Sequence, residues 1–358
     1  MINDDRIIRS RCTRFLSHHR PAAPGEVLRS IAGHASAAEA ADVYGVGGAV
    51  AQLEAHVAPL LGKEGGLFFI KGVTAQLCVL SAYAVQRGCR TIALHRLSHL
   101  ELDEQNALER VAHLTAVRLG RDAPFTVEAL DQICEPLAAV VVELPLRRAG
   151  YLLPPLSALQ SISGWCQERG VPLHFDGARL WEAAAGYGIS LAQLCDLADS
   201  VYVSFYKGLG GLGGALVAGS KPFLAALKPW KTRFGGDLYT AYPQAISALA
   251  GLDRQLPRMP DYVARASALA GRLADVPGLL LQPTGPQVNA FQLWMAGNPD
   301  ELAQRNRIFA QQRGVWLFNG FQATSLGSHA MAEVVIGDAS DDYAISEAAE
   351  WVRTFVGG

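Results

Sequence analysis

Short apolar runs alternate with amphipathic stretches over most of the first 255 residues. Apolar residues recur at helical spacing in AVAQLEAHVAPLLGKE and VTAQLCVLSAYAVQRG, which predicts helices there. Several runs between such stretches are apolar on both faces, which is typical of buried strands in a mostly parallel sheet. The predicted strands are GLFFI (66–70), TIALH (91–95), AAVVVE (138–143), VPLHF (171–175), SVYVSF (200–205) and ALVA (215–218). This alternation predicts an α/β domain with a central sheet.

The pattern changes after about residue 255. The segments GLLLQP, VNAFQLWMA, GVWLFN and EVVIG read as spaced strands, and DELAQRNRIFAQQRG reads as a helix between two of them. A last helix is predicted at roughly 342–355. The C-terminal part of the chain is therefore expected to form a smaller α+β domain.

Composition narrows the class of protein further. The chain has 358 residues, 50% of them hydrophobic, and a net charge of −2, so it can bury a large core and has no basic excess for nucleic acid. The longest uncharged stretch, 276–299, contains four prolines and cannot span a membrane. The N-terminus lacks an apolar signal segment, and six scattered cysteines without a C-x-x-C pair read as reduced thiols. We therefore expect a cytoplasmic globular protein with no nucleic-acid or membrane partner.

The stretch SFYKGLGGLGG (204–214) contains a literal G-x-G-x-x-G. A dinucleotide-binding loop needs a helix directly after the glycines, whereas here the strand-like ALVAGS follows. Lys207 comes just after an apolar strand, at the sheet edge where sites form in α/β proteins. A desolvated lysine there can lose its proton and form a Schiff base with a carbonyl compound. An ordinary surface lysine before a glycine turn is the alternative.

A second candidate lies in VPLHFDGARLWEAA (171–184), where Asp176 ends another apolar strand. Asp176 could be the N-cap of the helix ARLWEAAAG. It could also pair with a protonated pyridine nitrogen and so keep the ring able to accept electrons. An aspartate and a lysine at two strand ends are the arrangement that a pyridoxal 5'-phosphate (PLP) enzyme of the aspartate-aminotransferase fold needs.

The segments HFDGARLWEA and DSVYVSFYKGLGG resemble the threonine aldolase / β-eliminating lyase family of PLP enzymes. The resemblance continues in ADVYGVGGAVAQLEAHVAPLLGKE (41–64), HRLSHLELDE (95–104) and VELPLRRAGYLLP (142–154). It implies PLP-dependent transferase fold type I, with an N-terminal segment (1–40) that contributes to the site, a large PLP-binding domain (41–255) and a small C-terminal domain (256–358). The implied activity is a lyase that cleaves the Cα–Cβ bond of β-hydroxy-α-amino acids and gives glycine and an aldehyde.

The resemblance also implies roles for single residues. Lys207 would bind PLP covalently, and Asp176 would pair with its pyridine nitrogen. His99 would stack on the ring and act in catalysis, and Arg179 would reach the cofactor's phenolic oxygen or the substrate carboxylate. Without the resemblance, His99 reads as a loop histidine and Arg179 as a surface arginine of a first helical turn.

Further residues complete the expected site. Gly72, Val73 and Thr74 would form the phosphate loop, with backbone N–H groups as donors. The family often completes its site from a neighbouring subunit, so we expect a homodimer or homotetramer with shared active sites. The candidates for this contribution are Tyr44, for substrate, and Lys231 and Arg233, for the cofactor; a core tyrosine and solvated charges are the alternatives. No metal site is expected, since His95 and His99 straddle a strand end.

Three positions depart from the family pattern. The phosphate loop P-S-G-T is replaced by Lys71-Gly72-Val73-Thr74, and valine does not readily take a positive φ. Leu146 stands where the family has a histidine near the substrate hydroxyl, and Glu333 where it has a carboxylate-binding arginine. Arg11 or Arg14, in the N-terminal segment, could bind the substrate carboxylate instead. These departures leave two alternatives open: another PLP reaction (β-elimination, racemisation or transamination), or a non-catalytic PLP-binding protein.

Overall fold

The computed structural model describes residues 2–357. The strands in this range are β1 (Arg14–Phe15), β2 (Gly65–Phe69), β3 (Thr91–His95), β4 (Thr115–Leu119), β5 (Ala139–Glu143), β6 (Leu173–Gly177), β7 (Ser200–Ser204), β8 (Ala215–Gly219), β9 (Leu279–Gln282), β10 (Ala290–Ala296), β11 (Val315–Trp316), β12 (Gln322–Ala323) and β13 (His329–Val335). The α-helices are α1 (Ile2–Ser10), α2 (Pro24–Ala32), α3 (Gly48–Leu60), α4 (Gly72–Arg87), α5 (His99–Leu102), α6 (Ala107–Arg110), α7 (Val127–Asp131), α8 (Leu156–Arg169), α9 (Leu180–Tyr187), α10 (Leu191–Cys195), α11 (Lys221–Arg233), α12 (Tyr242–Gln255), α13 (Met259–Leu273), α14 (Pro299–Arg313) and α15 (Ile345–Gly357).

The chain divides into two compact units. The larger is Ala23–Pro257, and the smaller combines the described residues of Met1–Ala22 with those from Arg258 onward. The larger unit contains a seven-stranded sheet in the order β2-β8-β7-β6-β5-β3-β4. Its strands are parallel except β8, which is antiparallel to both β2 and β7. The α/β fold with a mostly parallel sheet is confirmed, whereas the predicted domain boundaries stay predictions.

The apolar runs of the sequence form the central strands of this sheet. Every residue of β5, β6, β7 and β8 is buried, because helices cover both faces. Helix α4 packs on one face and is itself buried along most of its length. The sequence pattern missed β4, in which only Ala116 and Leu119 are buried. β4 is the last strand of the sheet, and an edge strand needs less apolar surface than a central one.

The smaller unit has two small sheets. Strands β12-β13-β10-β9 form an antiparallel sheet, which agrees with the α+β character predicted for this part of the chain. The segment GVWLFN supplies only the short strand β11, which pairs in parallel with β1 near the N-terminus. Helix α15 matches the predicted last helix. Among the described helices, none combines the length and the apolar character needed to cross a lipid bilayer.

Candidate active site

Three neighbouring strands of the larger unit carry polar side chains on one rung of the sheet. Glu143 at the end of β5 lies beside Asp176 of β6, which lies beside Tyr202 of β7. Residues that pair in register point to the same face of a sheet. All three side chains are buried. The sheet thus places two carboxyl groups and a phenol side by side near the carboxyl ends of its strands, where α/β proteins form their sites.

Lys207 follows β7 and joins this group. Burial lowers the pKa of its amine to about 8; the positive charge of Arg179 acts in the same direction, and Asp176 opposes both. At neutral pH, roughly a tenth of a lysine with this pKa is neutral, far more than of an ordinary lysine. The neutral amine can attack a carbonyl carbon. The predicted exposed-lysine alternative does not describe this environment.

The glycines after Lys207 let the chain fold back tightly into β8. The N–H of Gly211 donates to the carbonyl of Phe205 over 2.8 Å. Gly214 has a φ of +92°, and a Cβ there would lie 2.7 Å from the ring of Phe68. A strand follows the glycines, as the sequence indicated, so the setting of a dinucleotide-binding loop is missing.

Asp176 is buried, and its Oδ1 accepts the N–H of Ala178 over 3.2 Å. The helix after it, α9, begins at Leu180 with Arg179 in the N-cap position. The alternative that Asp176 caps this helix is therefore wrong. Its carboxylate instead faces the site, between Glu143 and Tyr202.

A cavity of about 210 Å³ lies at this edge of the sheet. It joins Lys207 and Asp176 to the start of α4 and to the segment around α5. The lining residues are Lys71, Gly72, Val73, Gln76, His99, Asp103, Glu104, Asp176, Ala178, Tyr202, Tyr206 and Lys207. Five of the residues predicted from the sequence, namely Lys207, Asp176, His99, Gly72 and Val73, thus share one cavity.

The start of α4 contributes backbone N–H groups to this cavity. Helix N-termini bind anions because their first N–H groups have no partner within the helix. Gly72 is the first residue of α4, and a Cβ there would lie 2.2 Å from Oη of Tyr202. Val73 lies within the helix and needs no positive φ. Thr74 is on the same turn but does not line the cavity.

His99 is held at both its backbone and its ring. Its N–H donates to Oε2 of Glu143 over 2.7 Å, and its Nδ1 lies 3.0 Å from Oε1 of Glu104. The bond with Glu104 is the main cause that raises the pKa of His99. Burial and the neighbouring Asp176 raise the pKa of Glu143 to about 7. His99 in the cavity and Glu143 beside it can therefore gain or lose a proton near neutral pH.

His95 has a structural role instead. Its Nε2 donates to the carbonyl of Ala123 over 2.8 Å, and its Nδ1 accepts the N–H of Leu97 over 3.0 Å. Both ring nitrogens are thus engaged. Within residues 2–357, no three His, Cys, Asp or Glu side chains are placed to hold a metal ion together.

Arg179 and Leu146 complete the surroundings of Lys207 and Glu143. The guanidinium of Arg179 lies 5.1 Å from the ring centroid of Tyr151, a cation–π distance, and its charge acts on Lys207. Leu146 is buried and pairs with Leu152 in an isolated bridge. An apolar side chain cannot accept a proton, so Leu146 offers no replacement for the family's histidine.

Tyr44 and Lys231 line a different cavity, of about 610 Å³. Nζ of Lys231 lies 3.4 Å from Oδ1 of Asp237. Tyr44 is largely exposed and contacts the ring of Tyr239. Arg233 is also exposed, with its guanidinium over Trp230. Within one chain the structure does not bring these three residues into the cavity of Lys207, and their roles stay predictions.

Two further predicted positions belong to the smaller unit. Arg11 is exposed and follows α1. Glu333 lies on β13, in register with Gln292 of β10. The role of Arg11 in substrate binding stays a prediction.

Six lining residues were not predicted from the sequence: Gln76, Asp103, Glu104, Ala178, Tyr202 and Tyr206. Gln76 ends a buried chain of hydrogen bonds. Tyr83 bonds to Ser200, Ser200 to Nδ1 of His174, and Nε2 of His174 to Oε1 of Gln76. Among the described residues, Nε2 of Gln76 has no partner. The sequence signal was a polar residue at a buried position of an apolar helix, which usually needs a partner.

Comparison with known proteins places this architecture in a class. A solved structure from Listeria monocytogenes, of a protein assigned as an L-allo-threonine aldolase, is 34% identical with a TM-score of 0.92, and the match covers 99% of this chain and 98% of that one. The chain has the fold of the fold type I class of PLP-dependent enzymes.

A sequence profile of the beta-eliminating lyases matches residues 27–296. The chain therefore belongs to the beta-eliminating lyase family, which includes the threonine aldolases. Low-specificity L-threonine aldolase 1 of Arabidopsis thaliana is 25% identical over 290 residues, which are 78% of this chain and 81% of that one. Alanine racemase TOXG of Cochliobolus carbonum is 31% identical over 207 residues, which are 55% and 52% of the two chains.

Proposed function

We propose that this protein is a PLP-dependent aldehyde-lyase that cleaves β-hydroxy-α-amino acids into glycine and an aldehyde. The observation that carries the proposal is the shared cavity of Lys207, Asp176 and His99 in a chain of the beta-eliminating lyase family. The threonine aldolases named among its relatives support the same reaction.

The residues of the cavity fit PLP. The first turn of α4 offers unpaired N–H groups to a phosphate. Gly72 has no side chain, which leaves room for the hydroxyl of Tyr202 beside this turn. Asp176 would hold the pyridine nitrogen, and Lys207 has the lowered pKa that a carbonyl-binding amine needs. The bound cofactor would supply an electron sink for the carbon–carbon cleavage.

The reaction also needs a group that accepts the proton of the substrate hydroxyl. His99 lines the cavity, and its ring is oriented by Glu104. We assign the proton acceptor to His99, because Leu146 cannot serve. Arg179, whose charge lies near Lys207, would bind the substrate carboxylate.

A second candidate is racemisation of an amino acid in the same cavity. It is favoured by the similarity to alanine racemase TOXG. A lysine with a pKa of about 8 can also exchange a proton at Cα, and the fold does not choose between reactions. Product analysis separates them: an aldehyde and glycine mark the lyase, and the mirror-image amino acid marks the racemase.

We also propose a homo-oligomer with shared active sites. Exposed apolar residues cluster around the cavity of Tyr44, namely Val43, Tyr44, Val46, Leu238, Tyr239 and Tyr242. These residues come from two segments, 43–46 and 238–242. The backbone N–H of Tyr44 donates a hydrogen bond to the carbonyl of Tyr239 and so joins the two segments. Such patches often mark protein–protein contacts. A second copy on this surface could bring Lys231 and Arg233 to its partner's cofactor.

The visible spectrum of the protein with PLP tests the function. We expect a cofactor band that requires Lys207, changes on addition of L-threonine or phenylserine, and is accompanied by aldehyde and glycine. Lys207→Ala should abolish the band, whereas Lys228→Ala, at an exposed lysine of α11, should keep it. A Lys207-dependent band that no amino acid changes would favour a non-catalytic PLP-binding protein. No band at all would refute the use of PLP.

A further inference from the structure

Glu104 is buried beside the partly exposed ring of His99 in the wall of the cavity. Only 2% of its side chain is exposed, against 36% of the side chain of His99, its hydrogen-bond partner. Its Oε1 lies 3.0 Å from Nδ1 of His99, and its Oε2 has no partner among the described residues. A buried carboxylate that lacks full hydrogen bonding lowers stability. Stability alone therefore gives no reason for a glutamate at this position.

The backbone of His99 is fixed independently of this bond. His99 begins α5, and its N–H donates to Oε2 of Glu143 over 2.7 Å. The other end of α5 is also held, since Asp103 accepts two hydrogen bonds from Arg148. With the backbone fixed at both ends, the contact with Glu104 sets the direction of the His99 ring.

Charged residues on neighbouring segments act on the pair of His99 and Glu104. Asp176 of β6 favours the protonated form of His99, and Lys207 after β7 opposes it. Asp103 at the end of α5 forms an ion pair with Arg148. The hydrogen bond from Arg148 lowers the pKa of Asp103, and the charge of His99 acts in the same direction. Burial raises the pKa of Glu104, and the bond with Glu104 raises the pKa of His99. The two side chains together thus hold a proton more tightly than either does in water.

We propose that Glu104 is a positioning residue that keeps hydrogen on Nδ1 of His99 and thereby presents Nε2 as the proton acceptor for the substrate hydroxyl. An ionised carboxylate can only accept a hydrogen bond, so Nδ1 must donate to it. The inference rests on the proposed lyase function. The hydroxyl proton moves to Nε2, and the O–H electron pair forms the carbonyl of the leaving aldehyde. The pair of the broken Cα–Cβ bond stays on Cα, which is then protonated to give glycine.

Two substitutions separate orientation from charge. Glu104→Gln keeps an oxygen that can accept from Nδ1 but removes the negative charge. Glu104→Leu removes both. Glu101→Gln is the matched control, because Glu101 lies on α5 with His99, bonds to Arg118 and does not line the cavity. Thermal unfolding of each variant checks that the fold is kept.

The first measurement is the titration of His99 by NMR in the cofactor-free protein, with its signal identified through His99→Asn. We expect the midpoint to lie above the ordinary 6.5 in the wild type and in Glu101→Gln, and to fall to lower pH in Glu104→Gln. An unchanged midpoint in Glu104→Gln would refute the pairing.

The second measurement is the pH profile of aldehyde release by the PLP-loaded protein. Neutral His99 is required, so the acidic limb should move to lower pH in Glu104→Gln, together with the NMR midpoint. Glu104→Leu should lose roughly 100-fold in kcat, as expected for an impaired general base. An acidic limb of the pH profile that stays in place in Glu104→Gln would overturn the positioning role of Glu104. Full activity of Glu104→Leu would overturn it as well. If the wild type releases no aldehyde, the proposed function fails and the acid–base role with it, while the NMR titration still decides whether Glu104 controls His99.

Discussion

Lys207 owes its chemistry to four neighbouring charges and to burial. Arg179 and Arg147 favour the neutral amine, whereas Asp176 and Glu143 favour the ammonium form. Burial is the largest effect, and the net result is a pKa of about 8. At the scale of single residues, the pKa of Lys207 therefore depends on opposing charges. Removing the charge of Arg179 should change this pKa measurably.

Arg179→Gln should raise the pKa of Lys207, because it removes a positive charge that disfavours the ammonium form. In the wild type, the rate at which the cofactor-free protein acquires the PLP band should rise with pH through a midpoint of about 8. In Arg179→Gln this midpoint should lie at higher pH. Arg121→Gln, at an exposed arginine outside the cavity, should leave it unchanged. An equal or lower midpoint in Arg179→Gln would contradict the assigned electrostatic role.

At the scale of elements, α4 determines the shape of the site. It packs on the sheet, its first turn opens into the cavity, and the buried chain from Gln76 through His174 to Ser200 ties it to β6 and β7. Burial lowers the pKa of His174 to about 3, so this histidine stays neutral and its bond to Gln76 is insensitive to physiological pH. The helix start is thus fixed relative to Asp176.

Gly72→Ala tests the close contact at this helix start. The added Cβ would lie 2.2 Å from Oη of Tyr202, so the helix start or the tyrosine must move. We expect a loss of about 1–3 kcal/mol in unfolding free energy, typical of overpacking, together with weaker PLP binding. Gly164→Ala, in α8 with open space around it, should be neutral or stabilising. Urea unfolding and PLP titration measure both effects, and unchanged PLP affinity in Gly72→Ala would contradict a phosphate site there.

At the scale of the whole molecule, the proposed homo-oligomer can be tested at the exposed apolar residues around Tyr44. Val46 is 76% exposed within this patch. Val46→Glu should place a charge in the subunit interface and shift the protein towards monomers, with loss of lyase activity if the sites are shared. Val85→Glu, at a similarly exposed valine on α4 outside the patch, is the control. Sedimentation velocity measures the distribution, and a wild-type protein that is monomeric at all concentrations tested would refute the oligomer.

Much of the larger unit's architecture follows from the sequence alone. The six predicted strands around the site are present with small shifts of their ends, because uninterrupted apolar runs can be buried only inside a covered sheet. Lys207 and Asp176 could be located for the same reason: each stands at or just beyond the end of such a run, where the chain leaves the core. The edge strand β4 was beyond reach, since it has no uninterrupted apolar run. GVWLFN was predicted as a strand, but only its residues Val315–Trp316 pair in a sheet.

The tertiary structure alone decided which residues share the site. The sequence does not contain the strand order or register that sets Glu143 and Tyr202 on either side of Asp176. Nor does it reveal that Arg179 rather than Asp176 occupies the N-cap position of α9, or that Glu104 contacts the ring of His99. Strand formation depends on the local pattern of apolar residues, which a sequence displays directly. Side-chain contacts and pKa values depend on distances between segments far apart in the chain, which only folding sets.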